Sequence, residues 1–420
     1  MTTYNYNNFS CARQTDSKDI LINISKFFFI IFLVYYGWFQ KVFFTIPNMS
    51  LLLGAGMILF IIFHSLRNNA PLLRCITFEI IVWLLFTVTA LLTGYVVAVN
   101  KSLVIRSLTN YFEYLVMVFG MVYISHQDKK INFFTGAYSI FALLCALTTI
   151  FFGVNYTSTR ITMSVSTNPN TLGISMVIGI FCILYNLNLK KIGLSLFMIC
   201  ELFLFLYVII LTGSRKSLLS AFIVLMLWIV FVRKSVLANN KRLGAGGRLA
   251  LVISVLIGSF LLYKLASNSF IFTRLEKLIE YGDDTRISMY IAAFELFKMS
   301  PFIGVGMDNY RALTVFSTYS HSTYAEVLSC TGVVGTILYF IPYCSIAVKI
   351  VKLIKNSVME ISINAKLLGI LFFMLLFLGT GVIHFYNVSS YISLGFLVAF
   401  CSLYYKANYH EKVDVINETN

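Results

Sequence analysis

The residues of this chain able to do chemistry are cations, hydroxyls and amides gathered in short polar clusters between long apolar runs. Thr212-Gly213-Ser214-Arg215-Lys216-Ser217 sets two adjacent cations beside a glycine turn that leads into an apolar helix. Free N–H groups at a helix start, next to a guanidinium able to bind in bidentate fashion, make a site for an anion such as phosphate. A plain turn between helices accounts for Gly213 and Ser214 but not for Arg215 and Lys216. Asp283-Asp284-Thr285-Arg286 opens a second helical pattern. It reads either as a cap with a local Asp283–Arg286 ion pair or as a second guanidinium placed beside Arg215. His321-Ser322-Thr323-Tyr324-Ala325-Glu326 ends a loop just before an apolar run. There an acceptor hydroxyl in water could meet a donor held in a membrane, with His321 as the acid–base group. His321 and Glu326 are five residues apart, about 140° around a helix, so they pair only if His321 precedes the helix.

Other clusters have structural readings beside the functional ones. Asn168 and Asn170 can cap a helix that begins at Pro169, with Arg160 and Asn170 also available to a ligand. Gly304-Val305-Gly306 reads as a turn after Ser300-Pro301, and Asn309 follows it as a candidate substrate contact. Gly332 and Gly335 permit close helix packing. Glu113 and Glu201 fall within apolar runs, where a carboxylate raises the idea of proton coupling. His384 is a secondary contact near the last external turn. Asp, Glu, His and Cys do not cluster with ligand spacing, so neither a metal site nor a cofactor is expected.

These clusters need elements to position them. The chain has 420 residues, 59% hydrophobic and 12% charged, with a mean hydropathy of +0.84, whereas soluble domains carry about 25% charged residues. A water-soluble enzyme is excluded, and the fold expected is all-α: a polytopic membrane protein of about twelve helices. Apolar windows place them near 20–39, 44–63, 76–97, 103–124, 132–153, 170–188, 190–211, 217–232, 249–266, 328–350, 366–386 and 388–405. The expected organisation is a cytoplasmic tail over 1–19, nine spans over 20–266, an extracytoplasmic loop over 267–327, three spans over 328–405 and a cytoplasmic tail over 406–420. Most short loops carrying Lys and Arg then face the cytoplasm, as the positive-inside rule requires. Within the long loop, Ile287, Tyr290, Ile291, Phe294 and Phe297 share a helical face, so an amphipathic helix on the outer membrane surface is expected.

Lys and Arg number 32 against 17 Asp and Glu, a net charge of +15. In a membrane chain this excess reads as topology signal plus an anionic ligand or lipid surface, with no nucleic-acid partner. The eight cysteines include no Cys-x-x-Cys pair and read as small packing residues. The Asn-rich start has no signal-peptide pattern.

The ordered set of Arg160, Asn168-Pro169-Asn170, Thr212-Gly213-Ser214-Arg215, Asp284-Thr285-Arg286, Gly304-x-Gly306 with Asn309, His321-x-x-x-x-Glu326 and Thr331-Gly332-x-x-Gly335 resembles the O-antigen polymerase and ligase superfamily. The resemblance spans roughly 155–345; Ser322 departs from it, where many members carry Asn. It implies glycosyl transfer from a polyprenyl-diphosphate-linked oligosaccharide to an acceptor hydroxyl at the outer face of the bacterial plasma (inner) membrane. Arg215 and Arg286 would then stabilise the diphosphate leaving group, Arg160 would assist, and His321 would orient or deprotonate the acceptor. Asn170, Ser214, Lys216, Asn309, Tyr324 and Glu326 complete the expected substrate contacts, and membrane lipid and a chain-length regulator protein are the other expected partners. Polymerase is the first reading, on O-antigen or capsular glycan. Ligation of finished glycan to a lipid A core, and a lipid-linked glycan transporter or flippase, are the alternatives.

Overall fold

The computed structural model describes residues 19–46, 48–157, 160–187, 192–232 and 284–418. The expected span near 249–266, Asp283 and the first part of the long loop lie outside them. The other eleven expected spans are helices. They are α1 (Ile20–Val34, continued through a π turn at Tyr35–Phe39 and Gln40–Val42), α2 (Met49–Asn68), α3 (Phe78–Val97) and α4 (Lys101–Asp128). Next come α5 (Asn132–Phe152), α6 (Pro169–Asn186), α7 (Ile192–Thr212) and α8 (Arg215–Phe231). After α9 (Asp284–Met299) and the short α10 (Tyr310–Leu313) come α11 (Thr323–Asn356), α12 (Met359–Gly379) and α13 (Val388–Glu418). Among the described residues, nine helices are long and apolar enough to cross a membrane. The chain is an all-α multi-pass membrane protein, the one sheet among the described residues being an antiparallel pair, β1 (Val154–Thr157) with β2 (Arg160–Thr162).

The core lies where α4, α6, α11, α12 and α13 meet, with Tyr111, Tyr339, Tyr391, Phe396 and Leu371 buried. Side chains such as Val96, Phe151 and Phe222 stay exposed on the helices, as lipid-facing positions do. One end of the bundle is tied by charge pairs: Lys26 to Asp128 at 2.8 Å and Lys349 to buried Glu79 at 2.6 Å. Cys75, Cys145, Cys182, Cys330 and Cys401 are free and buried, in keeping with a packing role.

Several bounds differ from the sequence reading: the span expected over 44–63 runs over Met49–Asn68, and that expected over 328–350 starts at Thr323 and ends at Asn356. The span expected over 366–386 ends at Gly379, and the chain crosses a turn through Thr380, Gly381 and a 3₁₀ segment at His384–Tyr386 before α13. Val382, Ile383 and Phe385 are apolar, so a hydropathy window passes over the Gly-Thr-Gly break. On α9, three residues of the face expected to lie on the membrane surface, Ile287, Ile291 and Phe294, are exposed, and Met289, Ala293 and Leu296 pack inward toward α11. Both stripes are apolar, and lipid satisfies either as well as protein does.

Helix α11 is broken at Gly332, whose φ of 61° and ψ of −166° leave the helical region. Broken helices at membrane depth persist where other groups satisfy the freed backbone. Here the segment after Pro301 does so. Val333 and Val334 N–H donate to the Pro301 and Phe302 carbonyls at 2.8 and 3.2 Å, and Val305 and Gly306 N–H donate to Ser329 and Cys330 at 3.1 and 2.9 Å. A Cβ at Gly332 would stand 2.4 Å from the Phe302 backbone, which requires glycine there.

Candidate functional site

The opposite end of the bundle, away from the Lys26 and Lys349 pairs, carries the polar clusters. Asn168 caps α6, its side chain accepting from Asn170 N–H at 2.8 Å, with Pro169 in the first turn. Arg160 leaves β2 and divides its guanidinium between two partners. Nε donates to the Thr212 carbonyl at 2.8 Å and an η nitrogen donates to Asn170 Oδ1 at 2.9 Å. Arg160 and Asn170 therefore lock the α6 start to the α7–α8 turn.

That turn is built as its residue types suggest. Gly213 takes a positive φ of 59°, and Ser214 caps α8 by accepting from Ser217 N–H at 3.4 Å. Ser214 and Ser217 are buried, whereas Arg215 and Lys216 are half-buried at the helix start. Lys216 Nζ donates to Thr380 Oγ1 at 3.1 Å. Tyr290 of α9 donates its hydroxyl to the carbonyl of the same Thr380 at 2.8 Å. Arg286 lies one helical turn before Tyr290 on the same side of α9, so the elements bearing the two expected guanidiniums meet at Thr380.

His321 stands just before α11, in the left-handed region at φ 59°, a conformation that costs a non-glycine residue about 1–3 kcal/mol and has to be held by its surroundings. The holding groups are on both sides. Glu326 Oε2 accepts from Ser320 N–H at 2.8 Å, and Ser322 caps α11. Thr323 Oγ1 donates to the Val382 carbonyl at 2.7 Å and accepts from His384 N–H at 3.0 Å. His321 does precede the helix, yet the Glu326 carboxylate is fully buried and bound to Ser320. The imidazole packs against the Tyr319 ring at 4.7 Å, and Tyr319 faces Tyr386 at 6.1 Å. Burial and the Glu326 carboxylate push the Tyr319 hydroxyl above its ordinary range.

The turn at 380–386 is thus the meeting point: it receives Lys216, Tyr290, Thr323 and the Tyr319 ring. Of these contacts, the sequence had flagged Lys216 and the neighbourhood of His384. Nothing in the sequence marks Tyr386 or Tyr319, and Tyr290 stands out only as part of an apolar helical face. For Thr380 the one available signal is the Gly-Thr-Gly triplet at 379–381.

The remaining candidates are engaged in contacts of their own. Asn309 is fully buried; its Oδ1 accepts from Asn100 N–H at 2.8 Å and its amide nitrogen donates to Asn100 and Met307 carbonyls. Tyr324 donates to the Leu376 carbonyl at 2.8 Å and stacks on Phe340. Both fasten the loop and helix to the bundle. Asp308 pairs with Arg311, and burial raises its carboxyl above the ordinary range against the pull of Arg311, Tyr386 and Ser107. Glu113 and Glu201 are buried in α4 and α7, Glu201 accepting from Ser139 at 2.9 Å. Among the described residues no three of His, Cys, Asp and Glu stand together as metal ligands do.

The helices and loop that carry these residues meet at one turn and fall within a recognisable stretch of chain. Residues 200–340 match a family model described as O-antigen ligase. Through this segment the chain is similar to the O-antigen ligase family. The match takes in Arg215, Arg286 and His321 and leaves Arg160, Asn170 and the 380–386 turn outside. That similarity supports a function of the O-antigen ligase or polymerase type in general. No curated protein matches the chain.

Proposed function

We propose that this protein is a polysaccharide polymerase. It moves a growing O-antigen or capsular glycan from polyprenyl diphosphate to a hydroxyl of a lipid-linked repeat unit at the outer face of the plasma membrane. The observation that carries this reading is the convergence on Thr380 of the elements bearing Arg215 and Arg286, with the His321 loop fixed to the same turn through Thr323 and Val382. As the anomeric C–O bond breaks, charge develops on the diphosphate, and guanidiniums held by α8 and α9 stabilise it without rearranging. His321 takes the proton of the attacking hydroxyl. Arg160 acts one step back, by fixing the turn that presents Arg215.

Transfer of finished glycan to a lipid A core is the second reading, favoured by the description of the family model that matches. Deleting the gene and resolving surface glycan and lipid-linked intermediates separates the two. Single repeat units at the surface without a ladder support polymerase, and long glycan stranded on polyprenyl diphosphate supports ligase. Repeat units trapped on the cytoplasmic face overturn both in favour of transport. Restoration by wild type but not by Arg215→Ala or His321→Ala ties the phenotype to the site.

A further inference from the structure

A cavity among the described residues lies outside the segment that matches the family model. It has a volume of about 550 Å3 and is formed where α1 and the loop after it face the first half of α4. Arg106, Thr109, Asn110 and Glu113 of α4 line it at helical spacing of three and four residues. A polar stripe of this kind on a helix packed among apolar spans is costly unless it faces a cavity. Across the cavity stand Tyr36, Gln40 and Lys41, which leave α1 at its π turn, Tyr35–Phe39. Single π turns re-aim side chains and recur at functional sites. The Lys41 carbonyl is pinned by the hydroxyls of Ser164 and Ser166.

The charges in this cavity are not spent on one another. Among the described residues, neither Lys41 nor Arg106 forms an ion pair. Glu113 is 7% exposed and its Oε2 has no hydrogen-bond partner among the described residues. Two cations fit phosphate oxygens, while a carboxylate with Asn110, Gln40 and Thr109 fits sugar hydroxyls. A phosphate-linked sugar presents both kinds of group at once, and the volume is within the range of about 300–1,000 Å3 typical of ligand sites.

The cavity also leads toward His321. Tyr36, Lys41 and Ser166 line both it and a smaller cavity of about 160 Å3, which reaches Asn168 and Tyr386. From Tyr386 the aromatic contacts continue to Tyr319 and so to the imidazole. A path of polar and aromatic groups therefore joins the Lys41–Arg106 cavity to the histidine.

We propose that this cavity is the acceptor site, where Lys41 and Arg106 hold the phosphate of a lipid-linked glycan and Glu113 binds its sugar while the donor occupies the Arg215–Arg286 side. This rests on the donor assignment above. The test is native mass spectrometry of the full chain in phosphatidylcholine nanodiscs titrated with undecaprenyl diphosphate. Wild type is expected to bind two equivalents. Lys41→Gln with Arg106→Gln loses one, and Arg215→Gln with Arg286→Gln loses the other. The charge-conserving pair Lys41→Arg with Arg106→Lys keeps both, which separates lost charge from lost fold. In transfer assays the Lys41→Gln and Arg106→Gln pair raises the acceptor KM by about tenfold or more with the donor KM unchanged. A single equivalent in wild type that depends on Arg215 and Arg286 overturns the acceptor site and leaves the donor reading intact. A Lys41-dependent equivalent with no effect of Arg215 or Arg286 does the reverse. Displacement of the Lys41-dependent equivalent by equimolar phosphatidylglycerol overturns the acceptor assignment in favour of a phospholipid headgroup site.

Discussion

Glu326 and Ser320 are joined by a 2.8 Å hydrogen bond from backbone N–H to buried carboxylate, one residue before His321. The carboxylate thus reaches the histidine through the chain rather than through the ring. Glu326→Ala leaves the Ser320 N–H buried and unpaired, a loss of about 1–3 kcal/mol. Transfer should fall with donor binding unchanged, and Glu326→Gln, which still offers an acceptor oxygen, should restore most of it. Equal failure of Ala and Gln would mean that the carboxylate itself takes part in the chemistry.

Removing a preorganised charge that faces a developing anion costs about 10²-fold or more in rate. Arg215→Ala and Arg286→Ala are expected to show this loss in membranes containing equal amounts of protein and supplied with lipid-linked donor. Lysine at either position should recover little, because an ammonium lacks the planar fork of a guanidinium. Full activity in Arg286→Ala would remove α9 from the site.

Gly332→Ala should be among the most damaging small substitutions in the chain. The new methyl meets the Phe302 backbone at 2.4 Å in a left-handed conformation, so both contact and backbone oppose it. Gly369 supplies the control, since a methyl there meets Ile350 at an ordinary 3.5 Å. Thermal unfolding in detergent should show a large drop for the first and little change for the second.

Acid should destabilise the protein through His384. Burial pushes its imidazole down from 6.5 to about 4. Above pH 6.5 the ring is neutral in both folded and unfolded chains, and its full contribution is present. As pH falls, the unfolded chain takes up a proton that the folded chain refuses, so stability declines until the ring protonates near pH 4. That gap converts to about 3 kcal/mol. Melting temperatures between pH 7.5 and 4.5 should fall less steeply for His384→Gln than for wild type.

The parts legible in the sequence were those whose physics is local. Apolar length marked the helices, Asn168-Pro169 marked the start of α6, and Gly213-Ser214 marked the turn into α8, each by a rule acting within a few residues. What escaped depended on partners far along the chain. Nothing in the five-residue spacing of His321 and Glu326 says that the carboxylate will bind Ser320. Asn309 looked like a ligand contact because its partner, the Asn100 backbone, lies 209 residues away. The inward stripe of α9 could not be told from the outward one, since Met289 and Ile287 are equally at home against protein or lipid.

The break in α11 has a consequence for how this protein can vary. The four backbone hydrogen bonds around Gly332 and Pro301 close the intervening chain into a stem with its own tip. At that tip Val315 is 93% exposed and Ser317 adopts a positive φ. Residues there can be exchanged or inserted without loading the stem, much as a tool head is changed on a fixed handle.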